Sequence, residues 1–131
     1  IGSLLLSGIG DTIRVSLTAD PVEEVRAGIE ILRSLDLGKG PRLISCPTCG
    51  RTKIDLIKIA AEVDDRLSAI DKDITVAVMG CAVNGPGEAK NADIGIAGGD
   101  KEALLFKKGR IIRKLDEKTI VDELFKEIER L

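Results

Sequence analysis

The chain has no histidine, no tryptophan and no tyrosine, and its only aromatic side chains are Phe106 and Phe125. A stacking platform for single-stranded nucleic acid is therefore not expected. No apolar run approaches the length needed to span a bilayer, so no membrane role is expected. The first residues, Ile1-Gly2-Ser3-Leu4-Leu5-Leu6, carry no basic leader or cleavage-site pattern. Cysteine is scarce as well: three residues, an odd number, confined to two short segments. That distribution argues against a secreted disulfide framework and for a reducing compartment, with the cytoplasm as the expected location. What remains is ordinary for a globular chain. At 131 residues, with 44% hydrophobic and 32% charged side chains and a net charge of −2, it can bury a core as one domain, or one domain plus part of another.

The most informative segments are Cys46-Pro47-Thr48-Cys49 and Cys81-Ala82-Val83-Asn84-Gly85-Pro86-Gly87-Glu88. Each begins where a short β-like run gives way to a turn. Thiols at i and i+3 can serve one metal centre, because the turn between them points both the same way. A third thiol leaves one position of a four-ligand set open, and no histidine exists to fill it. Glu88, at the end of a Gly-Pro-Gly turn, is the best remaining donor. The working inference is an iron–sulfur centre with three thiolates and one oxygen ligand.

Residues 1–37 and 38–131 read as different pieces. In the first, Ile13, Val15 and Leu17 alternate with Arg14, Ser16 and Thr18 as in a strand. Asp20 is a fitting N-cap, with Pro21 at the first helical position and Glu23 and Glu24 in the first turn. Val22, Val25, Ile29 and Leu32 carry an apolar stripe to about Leu35. One strand and one helix cannot close a core, so this piece is expected to end something larger. Gly38-Lys39-Gly40-Pro41 reads as a linker. Beyond it the pattern predicts strands at 42–45, 74–79, 93–97, 103–106 and 110–115, with Lys107-Lys108-Gly109 as a hairpin turn. Helices are predicted from about Thr52 to Ile70 and from Thr119 to Arg130. The expected class is α/β (α+β), a mixed β-sheet with flanking helices.

Each motif also has a plainer explanation. A strand, Cys-Pro-x-Cys and a helix is how glutaredoxin-like thiol oxidoreductases present a reactive dithiol, and Ala97-Gly98-Gly99-Asp100 loosely matches their later loop. Small cysteines can also simply be buried. The pair alone leaves redox, metal and structural readings open. Cys81 at an equivalent strand end shifts the balance, because a dithiol mechanism needs no third thiol. Asn84 to Glu88 is in the plain view an ordinary turn, yet its lack of side-chain bulk lets backbone N–H groups approach a cluster. Gly8-Ile9-Gly10 lacks a third glycine and precedes a strand, so it is set aside as nucleotide binding. Arg14 and Ser16 share a polar strand face that suits a phosphate.

The runs Gly8-Ile9-Gly10-Asp11-Thr12-Ile13-Arg14-Val15-Ser16-Leu17, Cys46-Pro47-Thr48-Cys49 and Cys81 through Glu88 closely resemble the C-terminal part of the 4-hydroxy-3-methylbut-2-enyl diphosphate synthase family. The resemblance covers essentially the whole chain. It implies a [4Fe-4S] domain similar to that of sulfite and nitrite reductases, preceded by the last strand–helix unit of a (β/α) barrel. It implies a cluster held by Cys46, Cys49, Cys81 and Glu88, with Glu88 and Asn84 at the reacting centre. Asn84, Arg14 and Ser16 are implied to bind substrate. The implied reaction is two-electron reductive ring opening of 2-C-methyl-D-erythritol 2,4-cyclodiphosphate in non-mevalonate isoprenoid synthesis. Ferredoxin or flavodoxin is the implied donor, and the full-length form is implied to be a homodimer. Most of the barrel is missing here, so the chain alone is expected to be inactive. Glutaredoxin-like and structural zinc readings stand as the alternatives, the latter weakened by the missing fourth Cys or His.

Overall fold

Asp20 and Pro21 start the first long helix in the computed structural model, which describes residues 1–131. The Asp20 carboxylate accepts the Val22 N–H at 2.9 Å, and Pro21 gives up an N–H that would have had no helical partner. The backbone separates into two compact units, Ile1–Gly40 and Pro41–Leu131.

In the first unit, a short helix α1 (Gly2–Leu6) precedes α2 (Pro21–Ser34). Residues 13–17, expected as a strand, form no strand and pair with none. A strand exists through its ladder of hydrogen bonds, and no neighbouring strand lies in this unit. The alternation is kept as far as Ser16: Ile13 and Val15 are half-buried toward Gly28 of α2, Arg14 and Ser16 are exposed, and Leu17, expected on the apolar side, is exposed as well. The Leu17 N–H donates to Glu24 Oε1 at 2.9 Å and ties the segment to the helix. The predicted stripe on α2 is not buried, for Val22, Val25 and Ile29 are all exposed. The helix ends where Asp36 turns left-handed (φ 57°), and the N–H groups of Leu37 and Gly38 close back on the Leu32 carbonyl.

The second unit is an α+β fold around one mixed sheet. Its elements are β1 (Arg42–Ser45), α3 (Leu56–Ser68), β2 (Thr75–Met79), α4 (Gly85–Glu88), β3 (Ile94–Gly98), β4 (Glu102–Lys107), β5 (Arg110–Asp116) and, after a 3-10 turn, α5 (Ile120–Glu129). The strands lie in chain order. β1, β2 and β3 are mutually parallel, and β4 and β5 are antiparallel to their neighbours. Lys108 and Gly109 form the two-residue β4–β5 turn with φ of 46° and 74°, the left-handed pair that suits a twisted hairpin.

Pleating divides the core in two. Val76, Val78, Ile94, Ile96, Ala103 and Leu105 face the apolar sides of α3 and α5, supplied by Leu56, Ile59, Val63, Leu67, Ile120, Leu124 and Ile128. On the opposite face, Ala77, Met79, Ala97 and Phe106 meet Ala89 and Ala92 of the β2–β3 connection. The two parallel crossovers thus lie on opposite faces of a sheet whose strands run in sequence. They must have opposite hands, so one departs from the usual right-handed rule. Gly95 makes room on this second face, since a Cβ there would stand 2.6 Å from the Phe106 ring and 2.7 Å from the Ala77 carbonyl oxygen.

Ion pairs fasten α5 to the antiparallel edge. Lys107 reaches Glu127 at 3.0 Å, and Arg113 reaches Glu123 at 2.7 Å. Arg66 lies 4.1 Å from the Phe125 ring centre and 2.9 Å from Asp122, linking α3 to α5.

Two predictions follow from this packing. Gly95→Ala should destabilise the chain by about 1–3 kcal/mol, because the methyl meets backbone and ring with nowhere to move; urea unfolding with an unchanged midpoint contradicts this. The second concerns acid. The Lys126 ammonium, then the Arg113 guanidinium, hold the Glu123 carboxyl at about 2, below its ordinary 4.5. Lys107 likewise lowers Glu127. A depressed carboxylate contributes stability that is present above the unfolded value and lost as pH falls through the folded one. Stability should therefore decline as pH is lowered from about 4.5 toward 2, and less steeply in Glu123→Gln, as followed by thermal melts across that range.

Candidate metal centre

Parallel pairing of β1 and β2 sets Ser45 opposite Val78, so both strands discharge their loops at the same end of the sheet. Cys46 immediately follows β1. Gly80 and Cys81 follow β2. The Gly80 N–H donates to Cys46 Sγ at 3.2 Å, a direct link between the two cysteine-bearing segments. Cys46 is half-buried and packs against the core on both sheet faces.

Cys49 is exposed. The Arg51 backbone N–H lowers its thiol pKa most, opposed by desolvation and assisted by the Thr52 hydroxyl and the Arg51 side chain. Its own N–H donates to Thr52 Oγ1 at 3.1 Å, and the Thr52 N–H returns a bond to the Cys49 carbonyl at 3.0 Å. The helix expected from Thr52 begins only at Leu56, capped by Asp55, whose carboxylate accepts the Lys58 N–H at 3.3 Å. Thr52 is thus engaged with Cys49 rather than with a first helical turn. This weakens the dithiol reading, which sets its first thiol against a helix N-terminus.

Asn84 to Glu88, expected as a turn, winds into the single helical turn α4, with the Glu88 N–H bonded to the Asn84 carbonyl at 2.9 Å. Its start is pressed onto the sheet. A Cβ on buried Gly85 would lie 2.8 Å from Met79 Cβ and 2.9 Å from Ala97 Cβ. Cys81 and Asn84 are half-buried and Glu88 is exposed. Arg14 and Ser16 lie in the other unit, exposed on the segment beside α2.

The three cysteines and Glu88 do not form a set able to hold one metal ion, nor does any other group of three or more cysteine, aspartate or glutamate side chains. A structural zinc site needs its four ligands converged on one ion, so this arrangement does not fit zinc. A four-iron cluster takes one outer ligand per iron, and its ligands stand further apart. Thiols on adjacent strand ends and an N–H already directed at one sulfur suit that wider frame.

A family model described as the GcpE protein C-terminal domain matches residues 42–130. The chain belongs to the GcpE family. A second model, the GcpE TIM-barrel domain, matches residues 1–29. Relatives named 4-hydroxy-3-methylbut-2-en-1-yl diphosphate synthase (flavodoxin) include one from Clostridium tetani, 64% identical over all of this chain and 38% of its own length. Others are from Caldanaerobacter subterraneus, 65% identical over all of this chain and 37% of its own, and Geobacter sulfurreducens, 60% identical with the same coverage. The chain therefore spans 38% of the length of the first of these relatives. No helix is long and apolar enough to cross a membrane.

Two residues near the thiols were not singled out in the sequence, Thr52 and Gly80. A threonine three residues after Cys49 is a turn-closing signal in its own right; a glycine before Cys81 carried no comparable mark. In the metal-free chain, iodoacetamide should modify Cys49 before Cys46 or Cys81, since it alone is both exposed and lowered in pKa. Peptide mapping that finds Cys46 modified first contradicts the placement of Cys49.

Proposed function

We propose that this chain is the C-terminal part of a GcpE-family enzyme that reductively opens 2-C-methyl-D-erythritol 2,4-cyclodiphosphate to 4-hydroxy-3-methylbut-2-enyl diphosphate. In this reading residues 38–131 are a [4Fe-4S] domain of the kind found in sulfite and nitrite reductases. Residues 1–37 are the last strand–helix unit of a (β/α) barrel, which accounts for the exposed apolar side of α2. The observation that carries the proposal is the junction of the two cysteine segments at adjacent parallel strand ends, joined by the Gly80 N–H to Cys46 Sγ bond.

Cys46, Cys49 and Cys81 would hold the cluster through thiolates, with Glu88 as the fourth ligand. Bound there, the cluster would supply electrons one at a time and, at the iron beside Glu88, a Lewis-acidic position. Opening the ring and releasing one oxygen as water consumes two electrons and two protons. Glu88 is solvent-exposed on α4, so its carboxylate can move and can carry a proton when not ligating. Asn84, the N-cap of α4, would offer its side-chain amide to a substrate oxygen. Arg14 offers a bidentate fork and Ser16 a hydroxyl for the diphosphate. The relatives' printed name supports flavodoxin as the donor, with ferredoxin as the other small electron carrier of suitable chemistry. The full-length enzyme is taken as a cytoplasmic homodimer in which a barrel and a cluster domain meet over the substrate. The isolated chain, with one strand–helix unit of barrel, lacks the positioning that supplies much of the rate.

Anaerobic reconstitution with iron and sulfide should give a broad visible absorption band in the wild-type chain and none in Cys81→Ser. Glu88→Gln should keep the band, while in the full-length enzyme it should lose turnover by about a hundredfold or more. A Cys81→Ser chain with full iron and sulfide content overturns the ligand set, and near-normal turnover of Glu88→Gln overturns the role of the carboxylate.

A further inference from the structure

Thr52 touches both cysteine segments. Its hydroxyl accepts the Cys49 N–H at 3.1 Å, and its own N–H binds the Cys49 carbonyl at 3.0 Å, closing the turn from both ends. The same side chain lies against Gly80, where a Cβ would stand 3.0 Å from Thr52 Oγ1 and 3.1 Å from Cγ2. The next residue adds a bond, Lys53 N–H to the Gly80 carbonyl at 3.0 Å. Gly80 in turn donates to Cys46 Sγ at 3.2 Å and is covalently joined to Cys81. One threonine and one glycine thus connect the backbone positions of all three thiols.

A third residue backs this contact. Gly98, in the Ala97-Gly98-Gly99-Asp100 run, leaves space for the Gly80 carbonyl oxygen and for Ile54: a Cβ on Gly98 would lie 2.8 Å from each. Ile54 is buried, and it anchors the 52–56 segment to the sheet. The run that loosely matched a thiol-oxidoreductase loop has a packing role here. It lets the 52–56 segment and the β2 exit approach closely enough for Thr52 to sit on Gly80.

We propose that Thr52 is a positioning residue that sets the spacing of Cys49 relative to Cys46 and Cys81 by clasping Gly80. The hydroxyl fixes the Cys49 end and the seat on Gly80 fixes the other. The effect of Thr52 is to hold the outermost, exposed thiol in a frame set by the two half-buried ones. The clasp is present in the metal-free chain, but its purpose rests on the cluster reading of the three thiols.

The test uses Thr52→Val, which keeps the shape and removes the acceptor, Thr52→Ser, which keeps the acceptor, and Gly80→Ala, which crowds the seat. In the metal-free chain, amide exchange at Cys49 should be several-fold to about tenfold faster in Thr52→Val. It should be close to wild type in Thr52→Ser, and exchange within β2 and β3 should be unchanged in both. After anaerobic reconstitution and reduction, the low-temperature electron paramagnetic resonance spectrum of Thr52→Val should differ from wild type, and Thr52→Ser should restore it. Gly80→Ala should lower iron and sulfide content. Wild-type exchange and a wild-type spectrum in Thr52→Val overturn the clasp. A wild-type chain that takes up no cluster, while Cys49 exchange still responds to Thr52→Val, overturns the ligand reading and the purpose of the clasp with it.

Discussion

The geometry of the cysteine end depends on the parallel pairing of β1, β2 and β3. Parallel strands send successive loops out at the same end of a sheet, so residues distant in sequence arrive together without needing long loops. The Cys46 loop, the Cys81 loop and the Gly98 turn all leave from that end. An antiparallel β1 would have delivered Cys46 to the opposite edge of the domain. The apolar ridge of α3 fixes this topology, because the helix must cross from the end of β1 to the start of β2 while burying Leu56, Ile59, Val63 and Leu67 on one face.

The second sheet face works by a different means. Apart from Met79 and Phe106 its residues are small, and small residues let backbone approach backbone. Ala77, Gly95 and Ala97 leave room for Phe106 and for the short connection carrying α4. Gly85 sits directly on β2 and β3, so the orientation of the Pro86-Gly87-Glu88 segment that follows is set by contact with the sheet. The carboxylate proposed as a ligand therefore stands at the end of a firmly seated stem but is itself exposed, which suits a group that must bind and release.

Charge is distributed to match. The strongest carboxylate–cation network, Glu123 and Glu127 with Lys107, Arg113, Lys126 and Arg130, joins α5 to β4 and β5, away from the thiols. At the cysteine end the Gly80 N–H meets Cys46 Sγ, and the Arg51 backbone N–H, the Thr52 hydroxyl and the Arg51 guanidinium all act on Cys49. Backbone donors have fixed positions and carry no net charge. The Gly80 N–H thus meets a sulfur without adding charge, whereas Arg51 sets a cation beside Cys49.

The sequence by itself determined where the strands of the second unit run and that Asp20 and Pro21 begin α2, and it marked three thiols and Glu88 as candidate ligands. Period-two and helical apolar patterns are local, and a side chain's ability to cap a helix depends on its nearest neighbours. What it could not determine was whether residues 13–17 would pair, since a strand requires a partner that this unit does not hold. Nor could it place the start of α3, where Thr52 binds Cys49 and leaves capping to Asp55. The face crossed by the β2–β3 connection, the coiling of Asn84 to Glu88 into a helical turn, and the seats of Gly80, Gly85 and Gly98 were decided only in the tertiary structure. A glycine has no side chain to reveal its role; its meaning lies in the atoms that would occupy the place of its Cβ, and those come from distant parts of the chain.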